Sequence, residues 1–315
     1  MSKPNEFAPV DLINRETPVV LVVAGRKVLD VPIVVRALHD ACGFSKFSVI
    51  MPPGDMAKLD GERFQAGTKV RIIDENKVVD GLSLDSVRAR LERRLGCNIE
   101  APKAGWYLQQ FLKMGYAAFD SAADYYLVWD ADTIPLRKMR FAKDSKLYLT
   151  RGREFHAPYF ATIAALRLCS TRQSLSHISQ HMPVRSADML ALLAELNSDE
   201  IPWWSLILDR LGEWCWEQHF SEYETYASFC LDRFPGRYAS LERPWFRWGH
   251  SFFGVNMSKA NVASLRGVYD FVAFEEWDRP TILRRLRAFA AMIVDFLKWK
   301  LKGAANYRLS DLISP

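Results

Sequence analysis

Three observations predict an α/β fold, a mixed sheet flanked by helices with a helix-rich C-terminal part. Short β-branched runs alternate with stretches of helical apolar spacing, each run is closed by Gly, Pro or acidic residues, and a later apolar run stops on two carboxylates. The first run, Pro18-Val-Val-Leu-Val-Val-Ala24 before Gly25, lacks alternation and so reads as a strand buried on both faces of a parallel sheet. From Val31 to Cys42 the apolar residues Val34, Leu38 and Ala41 fall at helical spacing, and Gly43 is placed to stop the helix. Phe47-Ser-Val-Ile-Met51 gives a second strand closed by Pro52-Pro53-Gly54, and Lys69-Val-Arg-Ile-Ile73 a third that ends on Asp74-Glu75. Helical spacing returns over about Leu84 to Leu95 and about Gly105 to Phe119. Strands alternating with helices make βαβ units, whose ligand crevice lies at the strand carboxyl ends.

The fourth strand, Tyr125-Tyr-Leu-Val-Trp129, runs into Asp130-Ala-Asp132-Thr-Ile-Pro135. In an extended chain, side chains two apart share a face, so Asp130 and Asp132 would project together from the strand end. Two carboxylates suit Mg²⁺ or Mn²⁺, which bind hard oxygen donors and complete their shell with water and substrate phosphates. The bare spacing is expected about once by chance in a chain of this composition. Two solvated acids in a turn are the competing reading, since Asp is a favoured turn residue.

The chain of 315 residues, 49% hydrophobic and 25% charged, has ordinary globular composition. A net charge of +5 and a pI of about 8.9 fit an anionic substrate or membrane surface, but the excess is too diffuse to indicate nucleic acid. Cys42, Cys97, Cys169, Cys215 and Cys230 include no C-x-x-C pair, and their odd number reads as buried thiols in a reducing compartment. With no apolar signal core and no run long enough to span a bilayer, a cytoplasmic location is expected, with peripheral attachment to the inner membrane open. The absence of a linker or repeat predicts one catalytic domain over residues 1–280, with a nucleotide-binding half at about 18–150 and an acceptor-side half at about 151–280. A basic amphipathic helix and tail follow at 281–315. In that helix Ile282, Leu286, Phe289, Ile293 and Leu297 recur at helical spacing, with Arg284, Arg287, Lys298 and Lys302 opposite and Trp299 near the end. It either docks on the core or lies in a membrane interface with its bases toward anionic lipid.

The early Val-Val-Leu-Val-Val strand, the helix with Gly105-Trp-Tyr-Leu-Gln-Gln110 and the Tyr125-Tyr-Leu-Val-Trp-Asp-Ala-Asp-Thr133 segment together resemble the GT-A class of nucleotide-sugar glycosyltransferases. The likeness is greatest to a group of bacterial glycosyltransferase-like proteins. Its later blocks are similar to His156-Ala-Pro-Tyr159, Ser179-Gln-His-Met182, Phe220-Ser-Glu-Tyr-Glu-Thr-Tyr226 and Trp248-Gly-His250, so that it covers roughly residues 18 to 255. Several members of that group carry paired His before the Met, whereas Gln180 precedes His181 here. The resemblance implies a GT-A (Rossmann-like) fold, a divalent cation cofactor (Mn²⁺ or Mg²⁺), a nucleotide-sugar donor and a glycan or glycolipid acceptor. It further implies that Asp132 ligates the metal directly, with Asp130 facing the ribose or a bridging water. Ala24 and Gly25 would lie under the nucleotide, with Asp74 or Glu75 near the base or ribose.

Other candidates each have two readings. His250 is a third metal ligand or diphosphate contact, or a histidine satisfied by a backbone carbonyl. Glu222 and Glu224, with Asp188 next, offer a general base for an inverting displacement, or form an acidic loop. Gln109 and Lys113 lie near a donor phosphate, or are polar positions on a core helix whose apolar face is Trp106, Phe111, Leu112 and Met114 and whose amides are at the surface. His156 and Tyr159 are donor contacts, and His181 lines an acceptor pocket with Met182. Among the tryptophans that gather in the C-terminal half, Trp203, Trp204 and Trp245 are expected at the surface, available to stack on sugars, because Pro202 and Pro244 place loops before them. Competing functions are a nucleotidyltransferase, for which Gly25-Arg-Lys27 is a poor phosphate loop, and a non-catalytic glycan- or membrane-binding module of the same fold.

Overall fold

The computed structural model describes residues 12–306 apart from 60–63, 153, 171–174, 199, 214–216, 255, 258–259, 276 and 279, and it leaves out the side chains of 299 and 301–306. Cys215, Trp214 and Trp216 therefore lie outside the described residues, as do the side chains of Trp299 and Lys302. In chain order the elements are β1 (Val19–Val22), α1 (Val31–Cys42), β2 (Lys46–Met51), β3 (Lys69–Asp74), α2 (Leu84–Leu95), α3 (Ala101–Phe119) and β4 (Tyr125–Trp129). There follow β5 (Thr133–Pro135), β6 (Ala142–Lys143), β7 (Lys146–Thr150), α4 (Ala157–Ala165), β8 (His181–Arg185), α5 (Ser186–Leu196) and α6 (Trp203–Asp209). The last are α7 (Glu222–Arg233), β9 (Tyr238–Leu241), β10 (Trp245–Phe246), α8 (Gly249–Phe253), β11 (Phe271–Ala273) and α9 (Ile282–Asn306).

The fold is mixed α/β, and its chain packs as two compact units interleaved in sequence. One unit holds residues 19–75, 129–140 and 242–315, the other 1–18, 76–128 and 141–241. In the first, β1 runs parallel to β2, with Val19 opposite Phe47, and β2 runs parallel to β3, with Lys46 opposite Lys69. All of β1 is buried, as expected of a strand without alternation. Gly43, at φ 80, caps α1 in the left-handed conformation a glycine adopts without strain. A smaller sheet in the same unit pairs β10 parallel and β5 antiparallel to β11, and α1 packs on β5.

In the second unit β4 neighbours β8, and β6, β7 and β9 form a sheet in which β7 and β9 are parallel. Ser83 and Ser86 make a reciprocal capping box that starts α2, and Gly96, at φ 66, ends it. The core helix α3 buries Tyr107, Phe111, Leu112, Met114 and Tyr116. It also buries Gln110 and Lys113, so the expectation that its amides sit at the surface fails for Gln110. The Gln110 amide is drawn inward by two backbone groups: it donates to the Trp106 carbonyl (3.2 Å) and accepts from the Glu222 N–H (3.0 Å).

Of the described cysteines only Cys230 is fully buried, while Cys42, Cys97 and Cys169 are part-exposed and all four are unbridged. The expectation of uniformly buried thiols is corrected to that extent. Cys42 nonetheless has its thiol pushed up to about 12, first by desolvation, which keeps it protonated and unreactive at neutral pH.

Candidate functional site

β4 ends at Trp129, and the chain then turns rather than continuing extended. The Asp130 carbonyl accepts from the Thr133 N–H (3.0 Å), closing a tight turn over Asp130-Ala-Asp132-Thr133, and Trp129 Nε1 spans it to the Thr133 carbonyl (2.8 Å). The strand-alternation argument for the two carboxylates therefore does not describe their geometry. Their presentation comes from the turn, which leaves both half-buried. The turn is fixed from outside by β11: the Asp132 carbonyl accepts from Phe274 N–H (2.7 Å), and Thr133 pairs with Ala273.

Asp132 Oδ2 accepts from Lys27 Nζ at 2.8 Å, from the 3-10 turn Gly25–Asp30 that follows β1. Asp30 joins this group. Its carboxyl is raised by desolvation, against the fields of His250 and Lys27, and raised further by Asp132. His250 sits on α8, which can approach the sheet only because residue 249 is glycine: a Cβ there would lie 2.5 Å from the Ala273 carbonyl oxygen. His250 Nδ1 also meets the Gly254 carbonyl at 3.2 Å, the bland role foreseen for it, so Nε2 is the nitrogen left for any ligand. Among the described residues no three His, Cys, Asp or Glu converge closely enough to form a metal cage, so Asp130, Asp132 and His250 are not assembled as three ligands.

Beside Asp132 stands Glu275, whose proton affinity is raised by burial although Arg247 grips both its oxygens (2.6 and 3.0 Å). Trp277 Nε1 donates to the same carboxylate, and its half-exposed ring lies 5.1 Å from the Arg247 guanidinium and 5.2 Å edge-on from Trp248. This aromatic platform was not foreseen in the sequence. Trp203, Trp204 and Trp245, by contrast, are buried. Pro202 directly caps α6, Trp203 packs edge-on to Phe111 (5.6 Å), and Trp245 opens β10 and stacks on Phe271 (5.4 Å). The prolines mark element starts rather than exposed loops.

At the strand ends of the same unit, Ala24 and Gly25 are exposed, and Gly25 N–H donates to Asp55 Oδ2 (2.5 Å), whose other oxygen holds Lys58 (2.5 Å). Asp74 is half-buried at the end of β3, and neighbouring Glu75 is pushed up to about 7 by desolvation, then by Asp74 and Asp55.

The remaining candidates lie in the other unit. Lys113 donates to Glu222 Oε1 at 2.7 Å, both are almost fully buried, and the ammonium stands 4.8 Å from the Tyr223 ring. Lys113 and Glu222 thus form one buried ion pair. Asp188 is likewise committed, accepting from Arg185 (3.2 Å), Arg237 (2.7 Å) and Tyr238 (2.7 Å). Gln109 is half-buried on α3. His156 Nε2 meets the Gln218 carbonyl (2.8 Å) and Tyr159 donates to Gln218 Oε1 (3.2 Å), so these two share one anchor. His181 is buried on β8, bonded through Nε2 to Thr150 Oγ1 (3.1 Å), while Gln180 before it takes a left-handed φ of 57.

Glu224 differs from the other acids. It is fully buried in the first turn of α7, and Oε2 accepts from His177 N–H (3.0 Å) while Oε1 has no hydrogen-bond partner. Desolvation pushes its pKa up to about 7. His177 Nε2 bonds Ser240 (3.0 Å), its Nδ1 is unpartnered, and burial pulls the imidazole down to about 4.

Two predictions follow from these buried charges. Lys113→Met alone should cost about 3 to 5 kcal/mol in urea unfolding, because Glu222 would be left unpaired, whereas Lys113→Met with Glu222→Leu should cost less than the single change. Burial of Glu224 opposes folding once the unfolded carboxyl ionises, so its contribution makes stability fall as pH rises from 4.5 to about 7. His177 acts oppositely: the unfolded state binds the extra proton between about 4 and 6.5, so stability rises with pH there. Glu224→Gln should therefore tilt the measured pH–stability profile upward across that window, and His177→Asn should tilt it downward.

No curated protein matches this chain. Among solved structures, mouse xyloside xylosyltransferase 1 in its apo form matches at a TM-score of 0.47 and 10% identity, over 84% of this chain and 100% of that one. A family model matches residues 34–245, a span that takes in the Asp130–Asp132 turn, Glu222 and Glu224 but stops short of His250 and Trp277. By that match the chain belongs to the family described as a family of unknown function (DUF6492).

Proposed function

We propose that this protein is a GT-A-type glycosyltransferase that moves a sugar from a nucleotide-sugar donor to a bacterial surface glycan or its lipid-linked precursor, with a divalent cation at Asp130 and Asp132. The observation that carries the reading is the strand-end turn that presents two half-buried carboxylates and already draws a cation, Lys27 Nζ, to Asp132. The donor set fits Mg²⁺ or Mn²⁺, which need only one or two protein carboxylates when diphosphate oxygens and water fill the rest. Such an ion would neutralise the diphosphate as the nucleoside diphosphate leaves. Lys27, bonded to Asp132 Oδ2 at 2.8 Å, would compete with such an ion for that carboxylate. Trp277 and Trp248 offer flat faces for a sugar ring in the same unit, and Glu275, clamped by Arg247, orients the Trp277 indole. Mn²⁺ titration by calorimetry with a panel of nucleotides should show nucleoside-diphosphate binding that requires metal, lost in Asp132→Asn and retained with tighter metal binding in Lys27→Met. Normal turnover by Asp132→Asn with metal chelated would sink the metal mechanism.

A further inference from the structure

Helix α9 faces the wrong way for a helix that buries its apolar stripe. Ala288 is fully buried, Asp295 accepts from Tyr269 Oη (3.1 Å), Arg284 donates to the Trp277 carbonyl, and α9 lies against α8. These contacts recur at helical spacing and define an inward face made of small and polar residues. The large apolar residues point outward: Ile282 is 83% exposed, Leu286 63%, Phe289 53%, Ile293 42% and Leu297 49%, and Leu283, Val294 and Phe296 widen the stripe. An exposed stripe of this kind marks an interaction surface, because large apolar side chains left in water forgo the stabilisation that burial gives.

The charges identify the occupant. By helical spacing Arg285 borders one edge of the apolar stripe, Arg287 and Lys298 the other, and Lys300 follows its end. Asp295, the one carboxylate between Ile282 and Lys300, is turned inward to Tyr269. A second copy docked on this face would set like charges against one another, whereas anionic headgroups would match them. Among the described residues no helix is long and apolar enough to cross a membrane, so this helix lies along a surface rather than spanning it. We infer that α9 docks the protein on an anionic bilayer, its apolar stripe in the acyl boundary and its bordering bases at the phosphates.

Flotation of the full chain with vesicles tests this without requiring turnover. The protein should float with phosphatidylcholine–phosphatidylglycerol vesicles at low salt, weakly with phosphatidylcholine alone, and be released from the anionic vesicles by high salt. Leu286→Glu with Phe289→Glu should lower partitioning by about a hundredfold with unchanged thermal melting, since both side chains are already in water. Arg285→Gln, Arg287→Gln and Lys298→Gln should each weaken anionic binding by about fivefold. The inference is overturned if the wild-type chain ignores both vesicle types. It is equally overturned if light scattering shows a dimer that the glutamate variant splits while no vesicle binding occurs, which assigns the face to a second copy.

Discussion

The pairing of β11 with β5 is the constraint on which the candidate site depends. β5 alone is three residues long, too short to hold a turn in place by itself. Lying antiparallel to β11, it fixes Thr133 opposite Ala273 and pins the Asp132 carbonyl to Phe274. That pairing joins two distant pieces of sequence, and the residues that follow β11 are brought beside Asp132 by it. Glu275 and Trp277 are the next residues of the β11 chain, and Gly249 allows α8 to seat His250 against the same backbone. A change that loosened β11 would therefore disturb carboxylates, histidine and aromatic platform together, although none of them belongs to that strand.

Electrostatics divides the acidic residues into two kinds. Glu222 and Asp188 are neutralised by committed partners, Lys113 for one and Arg185, Arg237 and Tyr238 for the other, and so act as internal ties. Glu224, Glu75 and Asp30 lack comparable compensation, and desolvation is the first cause that raises each of them. Raised proton affinity in a carboxylate is destabilising where it serves only the fold, and such groups concentrate where chemistry is done. The Asp132–Lys27 pair is more open than either tie, since the Lys27 side chain is 35% exposed.

Much of the local structure is legible in the sequence because it is decided locally. α1 and α2 end where Gly43 and Gly96 permit left-handed caps, and the buried β1 is visible as an unbroken β-branched run. The strand-end position of Asp130 and Asp132 is legible for the same reason. What escapes is decided at long range. Glu222 becomes a buried anion only because Lys113 meets it across 109 residues. Trp203 and Trp245 vanish into the interior because Phe111 and Phe271 receive them. The apolar spacing of α9 announces an amphipathic helix but not which side faces the protein, since small and polar residues can pack inward where Tyr269 and Trp277 supply hydrogen-bond partners.

The interleaving of the two units bears on how the chain is made. Residues 19–75 are synthesised before the other pieces of their unit, residues 129–140 and those from 242 onward. The other unit has all its segments once residue 241 is synthesised. During vectorial synthesis the opening βαβ portion must therefore wait, with Val19–Val22 and Phe47–Met51 lacking their full cover, while a later portion of the message completes its own unit. Slow elongation or a premature stop between about residues 241 and 273 would leave a chain with one unit complete and the other still without the partner strand of its carboxylate turn.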